Sequence, residues 1–259
     1  EAGLFQMTEK EFRPAPKSEV LPQAITVLHQ DLQGTLWAGT RHGLANWDGT
    51  NWTHPTPLER LRAEDVRALA DDAEGNLWIG TANGGLCRLR EGKLTTFLKR
   101  DGLPSDHVTA VLVDAEGILW VGTSGSGLAR FAGGKWTRYT TGDGLSGNSI
   151  GFLIEDGEAN LWIGSNAGLM RVTKAELNQF AEGKIPSVRC RSYGSQDGLP
   201  TRECSPGGQP AACRTPDGTL WFYMIKGLGS VNPSRLWRNT NPPPVMIEAV
   251  LVDDELQNT

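Results

Sequence analysis

Asp72-Ala73-Glu74-Gly75-Asn76-Leu77-Trp78-Ile79-Gly80-Thr81 decides the fold, because its centre returns as Leu36-Trp37-Ala38-Gly39, Leu119-Trp120-Val121-Gly122 and Leu161-Trp162-Ile163-Gly164. The four tryptophans stand 41, 42 and 42 residues apart. A fifth copy, Leu220-Trp221-Phe222-Tyr223, follows after 59 residues and lacks the glycine two places on, as a degenerate last repeat. Around each of the first four tryptophans the frame is constant: an aliphatic residue twelve earlier (Ile25, Val66, Val108, Ile150), another nine earlier (Leu28, Leu69, Val111, Leu153) and an aspartate six earlier (Asp31, Asp72, Asp114, Asp156). A period near 42 marks a structural unit repeated along the chain.

Within a unit, Asp-x-x-Gly spells a hairpin turn, since Asp bonds its own following backbone and Gly accepts positive φ. A Gly-Leu pair opens a third strand (Gly43-Leu44, Gly85-Leu86, Gly127-Leu128, Gly168-Leu169, Gly227-Leu228), and a short aromatic or β-branched run such as Lys135-Trp136-Thr137-Arg138-Tyr139 makes a fourth. In the first unit the strands are a over 25–30, b over 36–40, c over 43–47 and d over 51–54. Four antiparallel strands per repeat predict an all-β β-propeller, with five recognisable four-stranded blades. A solenoid has shorter coils, and a sandwich does not repeat. The tryptophans read as packing between neighbouring blades. Residues 173–187 lengthen the fourth spacing, and Thr173 with Glu176 three places on predicts a short capped helix on the outside of blade four, with Leu177 and Phe180 tucked onto it.

Composition agrees. The 259 residues are 38% hydrophobic with 32 Gly, enough apolar surface for a core and many tight turns. A net charge of -5 with 25 Lys and Arg spread along the chain excludes nucleic acid as a partner. No apolar run approaches a membrane-spanning length and the first ten residues lack a basic-then-apolar signal, so no direct membrane insertion is expected. Cys87, Cys190, Cys204 and Cys213 show no metal or redox spacing, and the disulfide state of the last three stays open.

Asp-x-x-Gly-x-Leu-Trp-Ile-Gly-Thr, then Gly-Leu-x-Arg, then Asp-Gly-Leu-Pro ahead of the next strand a, resembles the two-component regulator propeller repeat. Asp72 to Arg88 and Asp114 to Arg130 follow it almost throughout, and Asp-Gly-Leu recurs at 101–103, 143–145 and 197–199. The resemblance implies the extracytoplasmic, periplasmic sensor region of a bacterial membrane receptor. It also implies that residues 241–259, beginning Asn241-Pro242-Pro243-Pro244, open the β-sandwich that follows such propellers. Residues 1–240 are then propeller: 1–22 supply a half blade, because Gly3-Leu4-Phe5 aligns with Gly43-Leu44-Ala45, and 23–240 the five repeats. Family rings commonly have seven blades, so either a longer sensor or a partner completes this one. The remainder of the same receptor and a homodimer are the protein partners this implies.

In a four-stranded meander the a–b and c–d turns share one face, and the b–c and d–a loops the other. The second face carries the variable polar groups, where recognition is expected. Its candidates for a ligand site are Arg41, His42, Asn83, Ser124 and Asn166 on b–c loops, and His107, Asn148, Arg202 and Glu203 on d–a loops; Ser126, Lys226 and Asp106 lie on the same loops. Mixed charge and hydrogen-bonding groups suit a small polar ligand, an oligosaccharide above all, better than a phosphate or a metal. The histidines lack metal spacing, no nucleophile elbow occurs, and the aspartate turns lack the clustered oxygens of a calcium loop, so neither cofactor, metal nor catalysis is expected. A protein-interaction or assembly propeller is the alternative. A propeller lyase or hydrolase is the other, and it would use His42, His107 and Glu203.

Overall fold

The computed structural model describes residues 4–7, 11–14, 25–55, 61, 64–201, 203–204, 209–236, 250–252 and 255–257. Strands β1 (Phe5–Met7) and β2 (Phe12–Pro14) form a separate antiparallel pair, in the c and d positions that the sequence assigns to a half blade. Blade one is β3 (Ile25–Gln30), β4 (Leu36–Thr40), β5 (Gly43–Trp47) and β6 (Trp52–Thr53); blade two is β7 (Val66–Asp71), β8 (Leu77–Thr81), β9 (Leu86–Arg90) and β10 (Lys93–Phe97). Blade three is β11 (Val108–Val113), β12 (Leu119–Thr123), β13 (Leu128–Ala132) and β14 (Lys135–Tyr139). Blade four is β15 (Ile150–Glu155), β16 (Asn160–Ser165), β17 (Gly168–Thr173) and β18 (Arg191–Tyr193), with helix α1 (Lys174–Ala181) between its last two strands. Blade five shows three strands among the described residues, β19 (Ala212–Arg214), β20 (Leu220–Met224) and β21 (Gly227–Val231). Every blade is an antiparallel meander in chain order. A hairpin of β22 (Val250–Val252) and β23 (Glu255–Gln257) follows, while residues 241–249, assigned to the opening of a sandwich, lie outside the described residues.

The repeated tryptophan holds one blade to the next. Trp37 clusters with Val66, Leu69 and Ile79 of blade two, Trp78 with Val108 and Val121 of blade three, Trp120 with Ile150 and Ile163 of blade four, and Trp162 with Leu220 and Phe222 of blade five. In each strand b the residues flanking the tryptophan turn to the preceding blade, as the period of two in a strand requires. The aspartate six residues earlier has a second task beyond its turn. Its outer oxygen accepts the indole N–H of Trp37 (2.7 Å), Trp78 (2.8 Å), Trp120 (2.8 Å) and Trp162 (2.7 Å), so a buried donor is satisfied from its own hairpin. The glycine two places after the tryptophan is there for close approach: a Cβ on Gly80 would lie 2.6 Å from Val108, and one on Gly122 2.6 Å from Ile150, both on strand a of the next blade.

Trp221 departs from the expectation that all five tryptophans are buried. It is 39% exposed, against 8% or less for the other four, because nothing among the described residues packs on the outgoing face of blade five. Helix α1 forms where Thr173 predicted it, the Thr173 hydroxyl accepting the Glu176 N–H (3.2 Å). It reaches further than the outside of blade four, for Leu177 O accepts the Tyr139 hydroxyl (2.7 Å) and Phe180 lies 5.2 Å from that ring in blade three. Its first residue, Lys174, is buried, and Glu155 (2.6 Å), Glu116 (3.2 Å) and Asp114 (3.3 Å) surround its ammonium. Burial works against that charge, but the carboxylates outweigh it and hold the Lys174 pKa above its ordinary value. The four cysteines are unpaired, and burial pushes the Cys204 thiol up to about 11.

Candidate functional site

The b–c loops are pinned before they present anything. The last residue of strand b is a hydroxyl that donates to the carbonyl of the glycine opening strand c: Thr40 to Gly43 (3.0 Å), Thr81 to Gly85 (2.9 Å), Thr123 to Gly127 (2.7 Å) and Ser165 to Gly168 (2.9 Å). The same hydroxyls accept loop N–H groups from His42, Gly84 and Ala167. Backbone bonds then join b–c loops to the segments entering strand a. Gly85 N donates to Asp106 O, Ser124 N to His107 O, Gly127 N to Asn148 O and Asn166 N to Ser149 O. The two loop sets therefore form one continuous face, as the meander argument requires.

On this face Arg41, His42, Asn83, Ser124, His107, Asn166 and Glu203 are exposed, and among the described residues no side-chain hydrogen bond or ion pair engages any of them. Asn148 differs. Its carbonyl accepts Thr141 N (2.9 Å) and its amide donates to Thr141 Oγ1 (3.2 Å), tying the Asp-Gly-Leu turn of blade three to its outgoing loop. Asp106 does the same for Lys99 N (2.8 Å) one blade earlier. Arg202 lies outside the described residues. His42, His107 and Glu203 share the face, but no hydrogen bond joins them among the described residues, and no group of three His, Cys, Asp or Glu gathers as a metal site would.

Sequence reasoning missed Gln209. Its N–H donates to Thr26 O (3.0 Å), it bridges Val27 in parallel, and its side-chain oxygen accepts Leu69 N (3.2 Å). The segment entering blade five thereby touches the innermost strands of blades one and two. Nothing local in the sequence signals this, since the contact spans 140 positions.

Residues 60–83 and 102–125 match the family described as two component regulator propeller. Solved structures with the same fold include the domain described as the extracellular part of the hybrid two component system BT3049 from B. thetaiotaomicron, at 19% identity and a TM-score of 0.58, covering 89% of this chain and 36% of that one. The extracellular domain described as that of the one component system BT4673 from the same organism gives 20% identity and a TM-score of 0.61, over 82% of this chain and 30% of that one. Virginiamycin B lyase from Staphylococcus aureus gives 17% identity and a TM-score of 0.57, over 82% and 67%. This chain thus spans about a third of the two extracellular domains. At these identities the likeness is one of fold. No curated protein matches the chain. Among the described residues no helix is long and apolar enough to cross a membrane.

Proposed function

We propose that this chain is part of the extracytoplasmic sensing region of a two-component receptor and that it recognises a small polar ligand, an oligosaccharide by preference, on the b–c and d–a loop face. The observation that carries the reading is the pairing of stretches similar to regulator propeller repeats with a loop face whose backbone is tied by hydrogen bonds in blades two to four, while Arg41, His42, Asn83, Ser124, His107, Asn166 and Glu203 are left without side-chain partners among the described residues. Rigid loops presenting unengaged donors and acceptors of both charges favour a neutral, many-hydroxyl ligand, which each blade contacts with one or two groups. In the receptor, binding across several blades shifts the balance between two arrangements of the propeller, by no more than the ligand's difference in affinity for them.

A glycan panel screened by titration against the chain tests this. A hit whose affinity falls at least tenfold when Arg41, His42, Asn83 and Asn166 are replaced together by alanine supports the face; a hit that survives those changes places recognition elsewhere. The reading is one of binding without turnover, and a lyase or hydrolase would instead convert a substrate and stop doing so on His42→Ala or His107→Ala.

A further inference from the structure

Asn83-Gly84 is the one asparagine–glycine step in the sequence; every other asparagine is followed by a residue with a side chain. It stands on the b–c loop of blade two, with Asn83 exposed. The loop is closed around it. Thr81 donates to Gly85 O from both its backbone nitrogen (3.1 Å) and its hydroxyl (2.9 Å), and Gly85 N donates to Asp106 O (2.9 Å). Inside that frame the Gly84 N–H donates to Thr81 Oγ1 (2.8 Å), whose own proton is already committed to Gly85 O. The Glu64 carboxylate lies against Gly84, where an added Cβ would meet its atoms at 2.7 to 2.9 Å. Asn166 in blade four repeats the arrangement with one difference. The residue after it, Ala167, donates its N–H to Ser165 Oγ (3.1 Å) in the same way but carries a Cβ.

We propose that Asn83 is a site of spontaneous deamidation, converted to aspartate or isoaspartate by attack of the Gly84 nitrogen, and that Thr81 restrains the reaction. Glycine permits it, because the backbone must swing to bring that nitrogen onto the Asn83 side chain and a Cβ on residue 84 would crowd the approach. Hydroxide takes the Gly84 amide proton, a bond forms from the nitrogen to Asn83 Cγ, and the bond from Cγ to Nδ2 breaks. Nδ2 leaves as ammonia with a proton from water. Water then opens the five-membered imide: opening at Cγ gives aspartate, and opening at the backbone carbonyl routes the chain through Cγ and gives isoaspartate. Nothing is oxidised or reduced. In the folded chain the Gly84 N–H must first leave Thr81, and the Glu64 carboxylate repels both hydroxide and the anion that forms. Aspartate puts a new negative charge on the loop. Isoaspartate also lengthens its backbone inside the frame closed by Thr81 and Gly85, so bonds of that frame must give. The inference does not depend on what the loop face binds.

The test is peptide mapping by mass spectrometry of the whole chain during incubation in warm, mildly alkaline buffer, native and in urea, for wild type, Thr81→Val, Thr123→Val and Gly84→Ala. In native wild type Asn83 should lose ammonia ahead of Asn148 and Asn166. Urea should speed Asn83 by about fivefold or more, the rate equivalent of freeing one hydrogen bond, and Thr81→Val should give about that gain without urea. Thr123→Val removes the matching bond to Gly127 O (2.7 Å) in blade three and should leave Asn83 at the wild-type rate, which separates release of Gly84 from loss of stability. Gly84→Ala, accommodated by a swing of Glu64, should slow Asn83 to the rate of Asn166. The proposal is overturned if Asn83 stays unmodified in the native chain, if Asn148 or Asn166 reacts as fast, if urea brings no gain, or if Gly84→Ala leaves the rate unchanged. It is overturned too if Thr81→Val speeds Asn83 no more than Thr123→Val does. Should Thr81→Val fail to fold, Thr81→Ser takes its place: it keeps the hydroxyl and must react at the wild-type rate, and a faster rate overturns the role of Thr81.

Discussion

Asp114→Ala should destabilise the fold by about 3 to 5 kcal/mol, and the reason separates the aspartate's two tasks. One oxygen of Asp114 accepts the turn N–H groups of Glu116 (2.9 Å) and Ile118 (2.9 Å); these are partly exposed bonds, each contributing about 0.5–1.5 kcal/mol. The other accepts the indole N–H of Trp120, a side chain 0% exposed, so alanine strands a donor that water cannot reach, at roughly 1–3 kcal/mol. Lys174 keeps Glu116 and Glu155 and adds little to the loss. Asp31→Ala removes the equivalent bonds to Gln33, Thr35 and Trp37, but Trp37 is 8% exposed and its freed N–H can regain water; about 1 to 2 kcal/mol is expected. Urea unfolding of both variants, with the cycle of Asp114→Ala against Trp120→Phe, isolates the indole bond as a coupling of about 1–3 kcal/mol. A coupling under about 0.5 kcal/mol would refute the argument, and so would equal losses for Asp31→Ala and Asp114→Ala.

Acid should attack the same clamps. For Asp72 and Asp156 burial opposes ionisation, yet bonds from Trp78 and Asn76, and from Trp162 and Asn160, hold the folded pKa below 3.8. Such a carboxylate stabilises the fold fully above 3.8, and that contribution is lost as pH falls through its lower folded value. Melting temperature followed from pH 5 to about pH 2 should therefore drop less steeply in Asp156→Asn than in wild type, and an unchanged slope contradicts the assignment. Ala159 stands at φ 57 where the other turns place Gly34, Gly75 and Gly117, so Ala159→Gly should stabilise by about 1 kcal/mol in urea; a loss would show that the turn prefers the methyl group. Trp120→Ala should cost roughly 3–5 kcal/mol and Trp221→Ala, at 39% exposure, less than half as much, and comparable losses would mean that Trp221 is covered in solution.

The blade was legible because it is written in short-range terms. Trp spacing, Asp-x-x-Gly turns and strand alternation are all local, and each recurs, so four copies corrected one another where a single copy would have been ambiguous. Three features escaped for physical reasons. The Asp–Trp bond joins positions six apart, but Asp-x-x-Gly already explains an aspartate by turn chemistry, and nothing required a second role. Lys174 reads as the exposed first residue of a helix until Asp114, Glu116 and Glu155 are seen to converge on it from two other hairpins. Gln209 acts across 140 positions through a loop with no periodic signal. Of the site, topology gave the face and which loops share it. It could not distinguish Asn148, whose amide is spent on Thr141, from Asn166, whose amide is not, because both are simply loop asparagines in the sequence.

The fifth repeat looks eroded in sequence, yet its departures fall together in a way that erosion does not require. Thr215 replaces the aspartate six residues before the tryptophan, and its hydroxyl bonds Asp217 and Thr219 instead of the indole. Tyr223 replaces the glycine two residues after it. Where Gly122 lets Ile150 come within the reach of a missing Cβ, a tyrosine would hold any strand a at a full side chain's distance. One change withdraws the bond that orients the ring toward the next blade, and the other withdraws the space the next blade would enter. Both sit on the outgoing face, while Leu220, Phe222 and Met224 on the incoming face remain fully buried against blade four. Stacking of successive blades thus depends on two separable sequence devices. This chain keeps both through four repeats and drops both at the one blade whose outer surface carries exposed Trp221 and Tyr223.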